Sequence, residues 1–310
     1  MSGYPFTDCY EVPVTGGSLH VARAGPLAEE ADAVVLAVHG VASSHLIWST
    51  VARELIAGPG VCVLAPDLRG RGRSAELPGP YGMAVHAEDL LAVLDAAGAR
   101  QAVVVGHSLG AYVAAALAAR QPDRVSALLL LDGGLAIQGY PDEMADELIE
   151  AMVDAALELA RIPFKSVEAH VEQWRAHPAF EDAWNGDVEA YAIYDVVADG
   201  RGPLHAAVSE AAVRADIAEL VRDEAARSAV DRVRAPMSFV RARRGMRGGL
   251  PLVPQLYLNT FAAAHPRARI EDVADANHYT LVLGAGPGPS RVAAAIETAI
   301  SPPSPVRADR

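Results

Sequence analysis

Five residues in the middle of the chain, Gly106-His107-Ser108-Leu109-Gly110, have the composition and spacing of a turn that carries a nucleophile. They follow the β-branched run Ala102 to Val105 and lead at once into an alanine-rich stretch, Ala111 to Arg120, whose composition favours a helix. A strand that becomes a helix within one residue forces the residue at the bend into a strained backbone conformation. The positions two residues to either side must then be small, or strand and helix collide. Gly106 and Gly110 meet that requirement. The Ser108 hydroxyl would stand clear of the sheet near the positive end of a helix, where a neighbouring base can take its proton for attack on a carbonyl carbon.

Other chemistries find less support. No His/Asp/Glu set has metal-ligand spacing, and Cys9 and Cys62 are too few for a thiolate metal site or a disulfide framework. No dinucleotide fingerprint is present, and Gly70-x-Gly72 lacks the Gly-Lys-Ser/Thr that completes a phosphate loop. Neither a metal nor a cofactor is expected. Arg69, Arg71 and Arg73 are read as part of a loop that braces the sheet, not as a basic patch. The formal net charge is −13, and residues 136–230 hold 20 acidic against 7 basic side chains, so that stretch carries the whole imbalance. Nucleic acid and anionic membrane surfaces are therefore not expected partners. No apolar run approaches the ~20 residues of a membrane span, and the N-terminus lacks the pattern of a signal peptide, so a cytoplasmic protein is expected. The oligomeric state is not legible.

Hydrophobic residues make up 51% of the 310, ample for a large core. Short apolar runs at Val34–Val38, Val61–Ala65, Ala102–Val105, Ala127–Leu131, Met237–Val240 and Ile270–Val273 read as strands. Helical stretches at Trp48–Ile56, His86–Ala97 and Leu109–Ala119 separate the first four. Strands this apolar, alternating with helices, imply an α/β fold with a mostly parallel twisted sheet covered on both faces. Residues 8–24 are read as an antiparallel edge hairpin. The alternation breaks after Gly139. Residues 141–161 read as one amphipathic helix with a stripe of Met144, Leu148, Met152 and Leu159, and further helical pieces follow near 166–176, 187–198 and 209–228. This insert is too long for a loop and should cap the C-terminal ends of the strands, where open α/β sheets place their ligand crevices. The expected organisation is a core of 1–135 and 231–300, an all-helical cap of 136–230, and a flexible tail of 301–310.

Four markers occur in order: His39-Gly40 after a strand, Asp67-x-Arg69-Gly70-x-Gly72-x-Ser74 after the next, Gly106-x-Ser108-x-Gly110 at the sharp turn, and Asn277-His278-Tyr279 near the end. On these the chain resembles the α/β-hydrolases with a cap, over about residues 20–300. The resemblance implies a Ser-His-acid triad with Ser108 as nucleophile and His278, in the loop after the last strand, as base. It leaves the acid to be chosen. Most of the family carries it after the strand that follows the cap. Here that strand runs into Arg241, Arg243, Arg244 and Arg247 with no carboxylate. Those arginines could bind a carboxylate of a substrate or pair with the acidic cap, and the pairing is expected. Asp132, after the strand Ala127–Leu131, is the alternative, as in relatives such as certain haloalkane dehalogenases and zearalenone-type lactone hydrolases; it could otherwise simply cap the Gly133-Gly134 turn.

The resemblance further implies an oxyanion hole from the backbone amides of Leu109 and Val41. His39 is read as orienting the Val41 loop. Trp48 either packs under that loop or lines the pocket. Trp174, Trp184, Tyr191 and Tyr194 lie in an aromatic cluster of the cap, which is either a wall against a bulky apolar substrate or the cap's own small core. The activity implied is hydrolysis of a small, neutral, apolar carboxylic ester or lactone through an acyl-enzyme. A thioesterase or carbon–carbon bond hydrolase on the same triad is an enzymatic alternative, and a ligand receptor on a hydrolase scaffold is a non-enzymatic one.

Overall fold

The computed structural model describes residues 4–136, 141–197, 204–246 and 249–301. Arg247 and all but the first residue of the expected tail lie outside the described residues. Eight strands form one sheet: β1 (Asp8–Val14), β2 (Gly17–Ala24), β3 (Ala33–Val38), β4 (Val61–Pro66), β5 (Ala102–His107), β6 (Val125–Leu131), β9 (Met237–Arg244) and β10 (Arg269–Asn277). Their order is β1-β2-β4-β3-β5-β6-β9-β10. The hairpin β1–β2 joins β4 antiparallel, and every other pairing is parallel. Two short strands, β7 (Val196–Val197) and β8 (His205–Ala206), pair only with each other.

Period-two alternation divides the core between the two faces of the sheet. Val34, Leu36, Val38, Val104, Leu128 and Leu130 pack on one face, with helices α2 (Met83–Ala96) and α3 (Leu109–Arg120). Val35, Ala37, Val103, Val105, Leu129 and Leu131 pack on the other, with α1 (Ser49–Leu55) and α10 (Pro287–Ile300). Both faces are buried, which is why these strands read as continuous apolar runs.

Between β6 and β9 the chain forms α4 (Ala145–Leu157), α5 (Val167–Arg175), α6 (Gly186–Tyr194), α7 (Glu210–Arg222) and α8 (Glu224–Arg227). The helix expected over 141–161 is shorter, and its buried stripe lies elsewhere. Ile149, Val153 and Leu157, four residues apart, pack against Val213, Ile217 and Val221 of α7. Met144 is exposed, and Met152 turns toward a cavity. The expected helix near 187–198 stops at Tyr194, where the chain passes into β7. After β9, helix α9 (Gln255–Ala264) leads to β10. Among the described residues no helix is long and apolar enough to cross a membrane.

Candidate active site

The turn between β5 and α3 is as tight as the glycines imply. Ser108 sits at φ 58°, ψ −121°. A Cβ on Gly106 would lie 2.2 Å from the Gly110 carbonyl oxygen, and one on Gly110 would lie 2.2 Å from the Val38 carbonyl oxygen. Leu109 is the first residue of α3, so its amide has no carbonyl four residues earlier within the helix to bond.

At the end of the neighbouring β6, Asp132 also has a positive φ, of 49°. These two are the only non-glycine residues with positive φ among those described, and such strain persists only where the surroundings impose it. Gly133 has to be glycine, because a Cβ there would lie 2.3 Å from the Ser108 carbonyl oxygen. Asp132 is buried, and its Oδ2 accepts a 2.8 Å hydrogen bond from His278 Nδ1. Its Oδ1 is buried without a hydrogen-bond partner among the described residues. The carboxylate is therefore directed to His278 and not to the Gly133-Gly134 turn. With Nδ1 protonated and bonded to Asp132, neutral His278 keeps its lone pair on Nε2.

Four hydrogen bonds and a ring contact fix the loop that bears His278. His107 Nε2 donates to the His278 carbonyl at 2.9 Å, and the two rings lie 4.4 Å apart between centroids. Burial, reinforced by the neighbouring His278, holds the His107 pKa well below the usual histidine range, so His107 is neutral. Asn277 Oδ1 accepts from the Tyr279 and Thr280 amides, and Asn277 Nδ2 donates to the Ala179 carbonyl at 2.8 Å, tying the loop to the cap. The sequence reading missed His107 and Asn277 as supports. The preference of asparagine for such turns was the available signal for the second.

The loop after β3 is set by His39. The Leu68 amide donates to His39 Nε2 at 2.8 Å, which leaves the proton on Nδ1, and Nδ1 donates to the Gly40 carbonyl at 2.8 Å. In a trans peptide the N–H points opposite to the C=O, so this bond also orients the Val41 amide. Burial lowers the His39 pKa to about 4, and the neutral tautomer is the one this geometry requires. A Cβ on Gly40 would lie 3.2 Å from the Ser108 Cβ, so the loop passes close beside the serine.

Ser108, Asp132, His278, Val41 and Leu109 all line one cavity of about 400 Å³ that α4, α6 and α7 help to wall. Its far walls are apolar: Leu135, Met152, Ala156, Ile217, Leu220 and Val253 contribute, and no lysine or arginine does among the described residues. Of the five aromatic residues expected to contact substrate, only Tyr191 reaches this wall. Trp48, the residue just before α1, is buried in the core. Trp174 packs among Phe180, Tyr191 and Tyr279, within the hydrophobic cluster that continues onto one face of the sheet. Trp184 lies under the Arg175 guanidinium, and Tyr194 donates to Asp67 with Arg73 above its ring. Spacing alone cannot tell the inner from the outer face of a small helical cap. Tyr112, Tyr257 and Tyr279, which the sequence reading did not place there, do line the cavity.

Two of the arginines at the end of β9, Arg241 and Arg243, also have a different partner from the one expected. Arg241 makes a double contact to Asp272, at 2.8 Å on each oxygen, and Arg243 joins at 3.0 Å. The partner is the neighbouring strand β10, where Asp272 is in register with Arg241, and not the cap. Arg69 and Arg71 are fully buried, each in an ion pair, so there is no basic patch.

Residues 33–179 match the sequence model of the family described as alpha/beta hydrolase fold. The chain is similar to lipase LipV of Mycobacterium tuberculosis, with 42% identity over 135 residues, covering 44% of this chain and 48% of the relative. It spans no more than about half the length of the curated relatives it matches. Two solved structures share the fold over 94% of this chain, each with a TM-score of 0.74. One is a thioesterase domain from the curacin biosynthetic pathway, 20% identical and matched over 99% of its length; the other is E-2-(acetamidomethylene)succinate hydrolase, 21% identical and matched over 98%.

Proposed function

The chain belongs to the α/β-hydrolase fold superfamily, and on that premise we propose that it is a serine hydrolase that cleaves a neutral, apolar carboxylic ester or lactone. The observation that carries this reading is the pairing of strained Ser108 and Asp132 at adjacent strand ends, with His278 held on Asp132 above one apolar cavity. In this mechanism His278 Nε2 takes the Ser108 proton as the oxygen attacks the carbonyl carbon. Asp132 stabilises the imidazolium that results. The Val41 and Leu109 amides receive the negative charge on the tetrahedral oxygen, each worth on the order of 3 kcal/mol in the transition state. His278 then protonates the departing alcohol, and a water activated by the same imidazole releases the acid.

Among the described residues the lining holds no lysine or arginine, which supports a neutral acyl group, because a substrate carboxylate would be desolvated there beside Asp132 with neither side chain to pair with. The similarity to a protein named as a lipase points to the same bond type. The test is turnover of a short-chain p-nitrophenyl ester together with labelling by a fluorophosphonate probe, followed by product analysis on ester, lactone, thioester and diketone panels. Labelling with ester or lactone turnover supports the reading. Binding of such compounds without labelling or turnover would instead favour a receptor.

A further inference from the structure

Arg71 has no exposed side-chain surface, and its guanidinium joins three separate pieces of chain. Nε donates to the Val41 carbonyl at 2.8 Å, Nη1 donates to the Arg69 carbonyl at 2.8 Å, and Nη2 lies 2.6 Å from Asp216 Oδ2. Asp216 belongs to cap helix α7 and is itself fully buried. Its Oδ1 accepts from the Gly82 amide at 2.8 Å, and His86 Nε2 lies 3.0 Å from its Oδ2. Backbone bonds run in parallel with this ion pair: the Gly72 amide donates to the Ala207 carbonyl and the Ser209 amide to the Gly70 carbonyl, each at 2.8 Å. The cap is thus already attached to the 70–72 loop without Arg71.

A buried ion pair is a costly way to add attachment alone, since well-packed apolar residues of similar volume do as well or better. What a guanidinium supplies is a planar cation that donates through Nε to the Val41 carbonyl while Nη2 lies in an ion pair with the helix carboxylate. Val41 is the residue whose other peptide unit is oriented by His39. Its N–H and C=O are therefore constrained from opposite sides, one through the core and the other through the cap. The residue after Asp216 on α7 is Ile217, which lines the cavity, as does Leu220.

We propose that Arg71 is a positioning residue that fixes the oxyanion loop to cap helix α7 through Asp216, so that the helix forming part of the substrate wall also holds the Val41 amide in place. This rests on the assignment of Val41 as an oxyanion donor. The test compares kcat, KM and thermal midpoint for the full chain on p-nitrophenyl butyrate. The variants are Arg71→Lys and a double variant, Arg71→Met with Asp216→Leu, which replaces the ion pair by apolar packing. Arg69→Lys is the control: Arg69 is equally buried in the same loop and pairs with Asp89, away from Val41.

Misplacing a catalytic group by an ångström can cost about 100-fold, so both Arg71 variants should lose roughly 10- to 100-fold in kcat with KM within about 3-fold of wild type. Arg69→Lys should lower the thermal midpoint comparably and change kcat less than about 3-fold. Equal kcat losses in the Arg69 and Arg71 variants at matched stability, unchanged kcat in a folded Arg71 variant, or failure of both Arg71 variants to fold would each overturn the proposal. An inactive, unlabelled wild-type chain would instead overturn the parent reading.

Discussion

Asp132→Asn isolates the role of one carboxylate. Asparagine tolerates the left-handed region better than most residues, so the φ of 49° at this position can be kept, whereas alanine would add backbone strain. Asparagine also nearly matches aspartate in shape inside a buried site. What changes is the partner of His278 Nδ1 at 2.8 Å. If the new amide presents its nitrogen, Nδ1 must become the acceptor, the imidazole proton moves to Nε2, and the base that the proposed mechanism needs for Ser108 is lost. If it presents its oxygen, the tautomer survives but the imidazolium loses its buried counter-charge. The same substitution in a serine protease costs about 10⁴ in kcat; at ~1.4 kcal/mol per decade that is between about 5 and 6 kcal/mol of transition-state stabilisation. A fall of about 10³- to 10⁴-fold is expected here, read as kcat on p-nitrophenyl butyrate with the thermal midpoint measured on the same sample. A folded Asp132→Asn variant within about tenfold of wild type would refute the reasoning. The acid would then have to come from elsewhere, although Asp272 is taken by Arg241 and Arg243, and Glu271 lies 2.8 Å from Arg291.

Stability should depend on pH through His39. Its pKa is about 4 in the folded chain against 6.5 unfolded, so the unfolded state binds the extra proton first as pH falls. The contribution of neutral His39, on the order of 3 kcal/mol, is complete above pH 6.5 and is lost progressively between about 6.5 and 4; His39→Gln should flatten that part of a denaturation-versus-pH series, while His107, shifted the same way, retains its own share. Gly133→Ala should destabilise by about 1–3 kcal/mol and impair turnover, because the added methyl meets the Ser108 carbonyl; a normal thermal midpoint and normal kcat would contradict the packing described. Tyr191→Ala should raise KM for bulky esters, whereas Trp184→Ala should leave KM within about twofold, since only the first lines the cavity. Steady-state kinetics on a graded ester series would separate them.

How much of this was legible in the sequence depended on whether a feature is local. The sheet was readable because each central strand is buried on both faces and therefore apolar throughout, as in Val61–Pro66. The bend at Ser108 was readable because two glycines within five residues answer a local steric demand. Cap helices were readable as helices, but not in which face they bury: the stripe through Met144 and Met152 gave way to Ile149, Val153 and Leu157 once α7 supplied a partner surface. The roles of Trp174, Trp184 and Tyr194 depend on that same missing information. Arg71 with Asp216, and Arg241 with Asp272, are pairings between distant segments, and charge pattern along one chain does not choose among the many acids available. The approach of Asp132 to His278 is equally distant in sequence; its candidacy came from an empty position elsewhere, and the hydrogen bond comes from the structure.

The central claim is that Ser108 is a nucleophile activated by His278. It is tested most directly by reacting the purified chain with a fluorophosphonate and mapping the adduct by peptide mass spectrometry. The account predicts a single adduct on Ser108, absent from Ser108→Ala and formed orders of magnitude more slowly in His278→Ala. An adduct on another residue, or ester turnover that persists in Ser108→Ala, would contradict it.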